Sequence, residues 1–268
     1  MSSKKTYDAS DIEVLEGLEP VRKRPGMYIG GTDRNGMHHL FAEVIDNSMD
    51  EAVAGFATFI EVNIDLNNKI TVFDNGRGIP IDKHPKYPEK SALEVILTTL
   101  HAGGKFNNKI YETSGGLHGV GISVVNALSE SLEVEVYRDK NIYFQKYSRG
   151  IPDSKIKKLE QKTNKKGTKI SFKPDENIFD KNVQFNIEKL YNFCKSKAYL
   201  FAGVEVRWSC NELIANENNI PSSDVFNFSR GLEDFLSNEV KDSSFIAREC
   251  FSGKKNKDSK NNSIEWAV

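Results

Sequence analysis

Hydrophobic and polar positions along the chain follow two periods, and the switches between them mark the elements. From His38 to Ala52, the apolar residues Leu40, Phe41, Val44, Ile45 and Ala52 recur at helical spacing and define one face. His39, Glu43, Asn47 and Glu51 recur every four residues, so they form a second, polar stripe on the same helix. Residues 60–66 and 70–74 instead alternate every second position on either side of Asn67-Asn68, the pattern of a β-hairpin. Further alternating strands are expected at 132–138, 143–147, 169–172 and 204–210, with a helix over 187–200. Helices interrupted by pairs of neighbouring strands predict an α+β, two-layer sandwich: a mixed, largely antiparallel sheet with helices on one face.

Beyond the last of these strands the pattern changes. The polar stretch 216–223 reads as a linker, dividing the chain into residues 1–218 and 219–268. The second part should hold a short helix near 231–238, a strand at 245–251, a Lys/Asn/Ser-rich hairpin loop at 253–263 and a last strand from Ile264. Two strands and a short helix cannot bury a core of their own, so the chain is expected to be a piece of a longer subunit.

The candidate chemistry sits in three places. Ser114-Gly-Gly-Leu-His-Gly-Val-Gly121 puts four glycines (Gly115, Gly116, Gly119 and Gly121) in seven residues, ahead of an apolar run that reads as a helix. Free backbone N–H groups and a helix start suit an anion such as phosphate. The stretch is neither a Walker A loop nor a regular Gly-x-Gly-x-x-Gly turn, and by itself a tight turn before a helix explains it as well. The polar stripe offers an acid, an amide and a second acid in line with no Lys or Arg among them. Asn47 supplies a hard oxygen for Mg²⁺, and Glu43 can deprotonate a water held by His39; a solvated helix face is the plainer reading. Thirdly, the hairpin's second strand delivers Asp74 to its end. A carboxylate there can accept from an exocyclic amine such as adenine N6, with Gly78 allowing close approach and Ile79-Pro80 forming an apolar wall.

Composition narrows the picture only slightly. The 268 residues carry 37 Lys and Arg against 38 Asp and Glu, so there is no broad basic field and nucleic-acid binding by this piece should be poor. The basic run Arg22-Lys23-Arg24 is weak evidence for a DNA-facing surface. No apolar run reaches membrane-span length and no signal-peptide core opens the chain, so a cytoplasmic protein is expected. Three scattered cysteines, Cys194, Cys210 and Cys250, lack metal spacing and read as reduced structural thiols.

Glu43-x-x-x-Asn47, Asp74-x-Gly76-x-Gly78 and Gly115 through Gly121 together resemble the nucleotide motifs of the gyrase/Hsp90/histidine-kinase/MutL ATPase superfamily. Gly17 through Gly30, Leu100-His-Ala-Gly-Gly-Lys-Phe106 and Ser114 through Ser129 resemble the ATPase subunit of bacterial type II DNA topoisomerases. Glu43-Val-Ile-Asp-Asn-Ser48, Pro85 through Leu97 and Lys197 through Trp208 look more like its topoisomerase IV branch than its gyrase branch. The resemblance implies an ATP-hydrolysing clamp that couples dimer closure to DNA strand passage, with ATP and Mg²⁺ as cofactors. Glu43 would be the general base with His39 beside it, Asn47 the Mg²⁺ ligand, and Asp74 the adenine acceptor sharing a water with Thr168. Glu51 and Arg77 would pair along the rim, while Val44, Val72, Gly78, Ile79, Pro80 and Ile170 would line the base pocket. Lys105 and Tyr111 would belong to a lid between about 85 and 115. Gly115, Gly116, Leu117, His118, Gly119, Val120, Gly121 and Ile122 would surround the phosphates. Arg138 would meet larger ATP-site inhibitors, and Tyr7 and Ile12 would form an arm reaching the partner's site. The implied partners are a second copy, a DNA-cleaving A-type subunit and DNA, with no membrane. Two alternatives stand beside this: the equivalent ATPase module of DNA gyrase, and a nucleotide-binding dimerisation module with little turnover. A related protein kinase fits less well, since no phosphoacceptor helix pair is present.

Overall fold

The computed structural model describes residues 8–103, 120–180, 183–240, 250–255 and 264–268. A 3₁₀ turn (Ala9–Asp11) leads to two short helices, α1 (Glu19–Lys23) and α2 (Gly26–Ile29). The long helix α3 (Arg34–Val53) follows, its first turn capped by the Asp33 carboxylate, which accepts from the Gly36 N–H at 3.0 Å. Strands β1 (Phe59–Ile64) and β2 (Ile70–Asp74) form the hairpin read from the alternation. A small hairpin of β3 (Lys83–His84) and β4 (Tyr87–Ser91) runs into α4 (Ala92–Thr98), which Ser91 caps.

Helix α5 (Gly121–Ala127) precedes β5 (Ser129–Arg138), β6 (Asn141–Ser148), β7 (Ile151–Pro152), β8 (Lys157–Lys162) and β9 (Gly167–Pro174). Then come α6 (Ile187–Leu200), β10 (Glu205–Cys210), α7 (Glu212–Asn218) and β11 (Ser223–Phe226). Helix α8 (Leu232–Glu239) and the paired strands β12 (Ser252–Lys255) and β13 (Ile264–Ala267) complete the described elements.

One sheet dominates, in the order β11-β10-β1-β2-β9-β5-β6-β7, with β8 also paired to β6. Among the described strands only β1 and β10 run parallel; the other pairs are antiparallel. Helices pack on one face of it. Phe41, Val44 and Ile45 of α3 and Leu190 and Cys194 of α6 share a core with Val62, Val72, Val134 and Ile170 of the sheet. Each such side chain, fully buried, contributes roughly 1.5–3 kcal/mol. The opposite face carries a smaller cluster of Phe73, Tyr137 and Ile142. Among the described residues, no helix is long and apolar enough to cross a membrane.

Several expectations need correction. The first part of the expected lid, 85–103, is a polar hairpin followed by α4, whose Leu93, Val95 and Leu97 are buried. Its polar start hid a helix that belongs to the core. The stretch 216–223 is no free linker: it ends α7 and begins β11, whose pairing with β10 carries the main sheet past position 218 to Phe226. Most of the strand expected at 245–251 lies outside the described residues; the described strand there is β12, starting at Ser252. Arg22 does not face outward for DNA. Its guanidinium donates to the Ala127 carbonyl at 2.6 Å and pairs with buried Asp175 at 2.7 Å, and Lys23 pairs with Glu13.

Candidate active site

The alternation of β2 places Asp74 on the same face as Ile70 and Val72, beneath α3 and away from solvent. Asp74 is 2% exposed, and its carboxylate accepts from the Ser48 hydroxyl at 3.1 Å and the Gly76 N–H at 2.9 Å. Burial, reinforced by the negative charge of nearby Glu51, pushes its pKa up to about 7, and the hydrogen bonds offset only part of that rise. Thr168 lies directly opposite Asp74 in the β2–β9 register, and its hydroxyl accepts from the Ile79 N–H at 3.1 Å. Gly167 makes that approach possible. A Cβ there would sit 1.7 Å from the Asp74 carbonyl oxygen, and φ is +117°.

Along the rim, Glu51 holds Arg77 through three bonds: to its backbone N–H (2.9 Å), Nε (3.1 Å) and Nη2 (2.7 Å). The guanidinium also lies 3.8 Å from the centroid of the Phe56 ring, a cation–π contact that fixes its plane. Across the opening, Arg138 donates to the Gly78 carbonyl at 3.0 Å.

At the other end the polar stripe of α3 meets the start of α5. A Cβ on Gly121 would fall 1.9 Å from Glu43 Oε2, so glycine is what lets the two helices bring the carboxylate against the chain there. Asp46 pairs with Lys197 at 2.5 Å. Together these elements enclose a cavity of about 660 Å³, within the range of small-ligand sites.

Of the residues singled out from sequence, Glu43, Asn47, Glu51, Asp74, Arg77, Gly78, Ile79, Pro80, Gly121, Ile122, Arg138 and Thr168 line this one cavity. Tyr7, Lys105, Tyr111, Gly115, Gly116, Leu117, His118 and Gly119 lie outside the described residues. His39, one turn before Glu43, is exposed and is not part of the lining, because the stripe runs on past the cavity mouth. Val120 is also absent from the lining; it packs against the core at the start of α5. Val44, Val72 and Ile170, expected in the base pocket, are instead closed inside the core at 0%, 1% and 2% exposure. Sequence reasoning missed Ser48, Phe56 and the role of Gly167. Ser48 carried a signal: it is a polar residue on the apolar stripe between Val44 and Ala52. Asp46 and Asp50 also line the cavity.

Such a site can bind a planar base against Ile79 and Pro80, accept a hydrogen bond from it at Asp74, and hold a carboxylate near the far end of the ligand. Among the described residues no cluster of three His, Cys, Asp or Glu side chains could cage a metal ion. Asn47 beside Glu43 fits a divalent cation whose remaining ligands are water and ligand oxygens, as Mg²⁺ prefers.

Comparison with known proteins agrees with this geometry. The chain is 56% identical over 264 residues to the B subunit of DNA topoisomerase 4 from Bartonella bacilliformis, covering 98% of the chain and 38% of that relative. It is 44% identical over 264 residues to the B subunit of DNA gyrase from Synechocystis sp., covering 98% of the chain and 24% of that relative. The crystal structure of the 43K ATPase domain of Thermus thermophilus gyrase B in complex with an aminocoumarin superposes with a TM-score of 0.76 at 37% identity, over 89% of this chain and 59% of that one. This chain thus spans little more than a third of the first relative's length. The sequence profile of the histidine kinase-, DNA gyrase B-, and HSP90-like ATPases matches residues 32–178, more than half of the chain, and the chain belongs to that family.

Proposed function

We propose that this chain is the ATP-binding and ATP-hydrolysing module of a type II DNA topoisomerase, of the topoisomerase IV kind. The observation that carries the reading is the single cavity joining Asp74 at one end to Glu43 and Asn47 at the other. The higher identity to a topoisomerase 4 relative than to a gyrase relative favours that branch.

In this reading adenine lies against Ile79 and Pro80 with its amine donating to Asp74, and Thr168 contacts the water they share. Asn47 would hold Mg²⁺, which supplies neutralising charge to the phosphates. Glu43 takes a proton from the attacking water as its oxygen bonds to the γ-phosphorus and the bond to the β–γ bridging oxygen breaks. Lys105, Tyr111 and residues 115–119 are assigned to the phosphates, and Tyr7 to the nucleotide site of a second copy. ATP-driven closure of two copies, coupled to passage of DNA by an associated DNA-cleaving subunit, is the proposed role of the whole protein. Since β11 belongs to the main sheet, the residues beyond Phe226 are assigned to the start of the following, transducer unit.

The test is ATPase rate against protein concentration. A clamp active only as a closed dimer gives a specific rate that climbs steeply with concentration. A rate per chain that is flat and measurable would contradict the clamp. Nucleotide binding with no turnover at any concentration would leave a binding module only.

A further inference from the structure

The near-neutral charge of the whole chain hides one strongly biased segment. Between Lys155 and Lys169 there are seven lysines against one carboxylate, Glu160, in a chain of formal net charge −1. Strand β8 occupies the middle of this segment and, among the described strands, pairs only with β6, leaving its other side at the border of the sheet. All six of its residues are exposed. Lys155, Lys157, Lys158, Lys162, Lys165 and Lys166 are all exposed, and none forms an ion pair with a described residue. The neighbouring strands differ: Lys69 and Lys146 pair with Glu133, Lys169 with Glu135 and Lys173 with Glu130, whereas single lysines without an ion pair to a described residue, such as Lys83 and Lys90, are scattered elsewhere and do not form a run of this density.

Lysines on a border strand commonly serve to stop edge-to-edge aggregation. That role accounts for charge on β8 itself, but not for its continuation off the strand at Lys155 on one side and Lys165 and Lys166 on the other. Nor does it account for a concavity of about 460 Å³ beside the strand, lined by Asp139, Lys140, Lys162, Thr163 and Asn164. A strand rises about 3.3 Å per residue, so Lys157 to Lys162 spans about 17 Å. One strand of duplex DNA places a phosphate every 3.4 Å or so along its axis, so a stretch of this length, with Lys155 beside it, can reach a few phosphates with its four lysines.

We infer that the β8 border, from Lys155 to Lys162 with the concavity beside it, is a docking surface for the phosphate backbone of duplex DNA. The identity of the polyanion rests on the topoisomerase reading; the surface itself rests on lysines that lack an ion-pair partner among the described residues, of which Lys162 also donates to Asn141 Oδ1 at 2.6 Å. Contact is sequence-independent, since it engages phosphates and not base edges. It is also local, which is consistent with weak binding overall. Because the segment runs directly into Lys166 and Thr168 of the nucleotide cavity, DNA on this edge would lie next to the ATP site.

The test compares the chain with a Lys155→Gln, Lys157→Gln, Lys158→Gln, Lys162→Gln variant, by fluorescence anisotropy with a short blunt duplex. Titration with a non-hydrolysable ATP analogue runs on the same samples. Four phosphate contacts predict a log–log salt slope of about −3 to −4, or roughly a hundred-fold loss of affinity between about 50 and about 200 mM salt. The variant should bind the duplex at least ten-fold more weakly at low salt, with a slope near zero and unchanged analogue affinity. Equal duplex binding by the two proteins, or no binding by the wild type at low salt, would overturn the inference. So would tighter wild-type binding to poly-glutamate than to the duplex, which would point to an acidic protein partner. Loss of analogue binding by the wild type would instead remove the ATPase reading and leave the lysine surface to be judged on the anisotropy alone.

Discussion

The two ends of the cavity are built from different materials. The Asp74 end is made of sheet and main chain: a strand terminus, a register partner in Thr168, and a glycine against the Asp74 carbonyl. It is buried and costly, since a carboxylate with its pKa near 7 resists ionising inside the fold. The Glu43 end is made of side chains on one helix facing the first residue of another. The difference teaches where each end draws its specificity. In the proposed reading, shape and fixed hydrogen bonds would define a base at one end, while charge placed on a helix face would handle phosphate and water at the other.

The largest expected effect falls at the helix end. Glu43→Ala should lower ATP turnover by about 10²–10⁴-fold while leaving nucleotide affinity nearly intact, because a general base acts on the water. Steady-state ATPase assays beside analogue titration check this, and equal loss of both would sink the assignment. At the sheet end, Gly167→Ala drives a methyl against the Asp74 carbonyl in an unfavourable backbone region. Thermal denaturation should show a loss of roughly 2–3 kcal/mol, with weakened nucleotide binding. A neutral result would mean the β2–β9 contact is softer than its geometry.

Asp74 sharpens the comparison through pH. Its folded-state pKa is raised, so the native state favours the protonated form; the associated stability is complete below the unfolded value near 4 and is lost as pH rises to about 7. Asp74→Asn removes the penalty. Denaturant melts should therefore show the variant gaining on wild type between about pH 4 and pH 7, by an amount on the order of a few kcal/mol, and then levelling off. Adenine affinity should move oppositely in the wild type, improving as the carboxylate ionises. The smallest effect belongs to the rim. Glu51→Gln weakens a half-buried pair with Arg77 and should cost about 1 kcal/mol by the same melts.

The sequence disclosed the parts of the fold that have an inside and an outside. Helix α3, the β1–β2 hairpin and α6 all show strict periodicity, and the observed limits of α6 are the expected 187–200. Strand β8 has no inward face, so its lysines gave no alternation to find. Helix α4 hid behind a polar hairpin, and β11 behind a polar lead-in, although Val225 and Phe226 supply one exposed and one buried position. The site was legible where one element carries it, as with Glu43, Asn47 and Glu51 on α3. It was not legible where it depends on a neighbour across space, as with Ser48 beneath Asp74, Gly167 against its carbonyl and Phe56 under Arg77. His39 lies off the lining formed by the described residues: a four-residue repeat marks a helix face, but not how far along that face a cavity reaches.

The most direct test of the central claim, that one cavity binds adenine at Asp74, is calorimetric titration of the wild type and Asp74→Ala with a non-hydrolysable ATP analogue and Mg²⁺ at about pH 8. A lost hydrogen bond to a charged acceptor is worth about 1.5–3 kcal/mol, so the account predicts roughly ten- to hundred-fold weaker binding by the variant. Equal affinity in the two folded proteins would place the base elsewhere and contradict it.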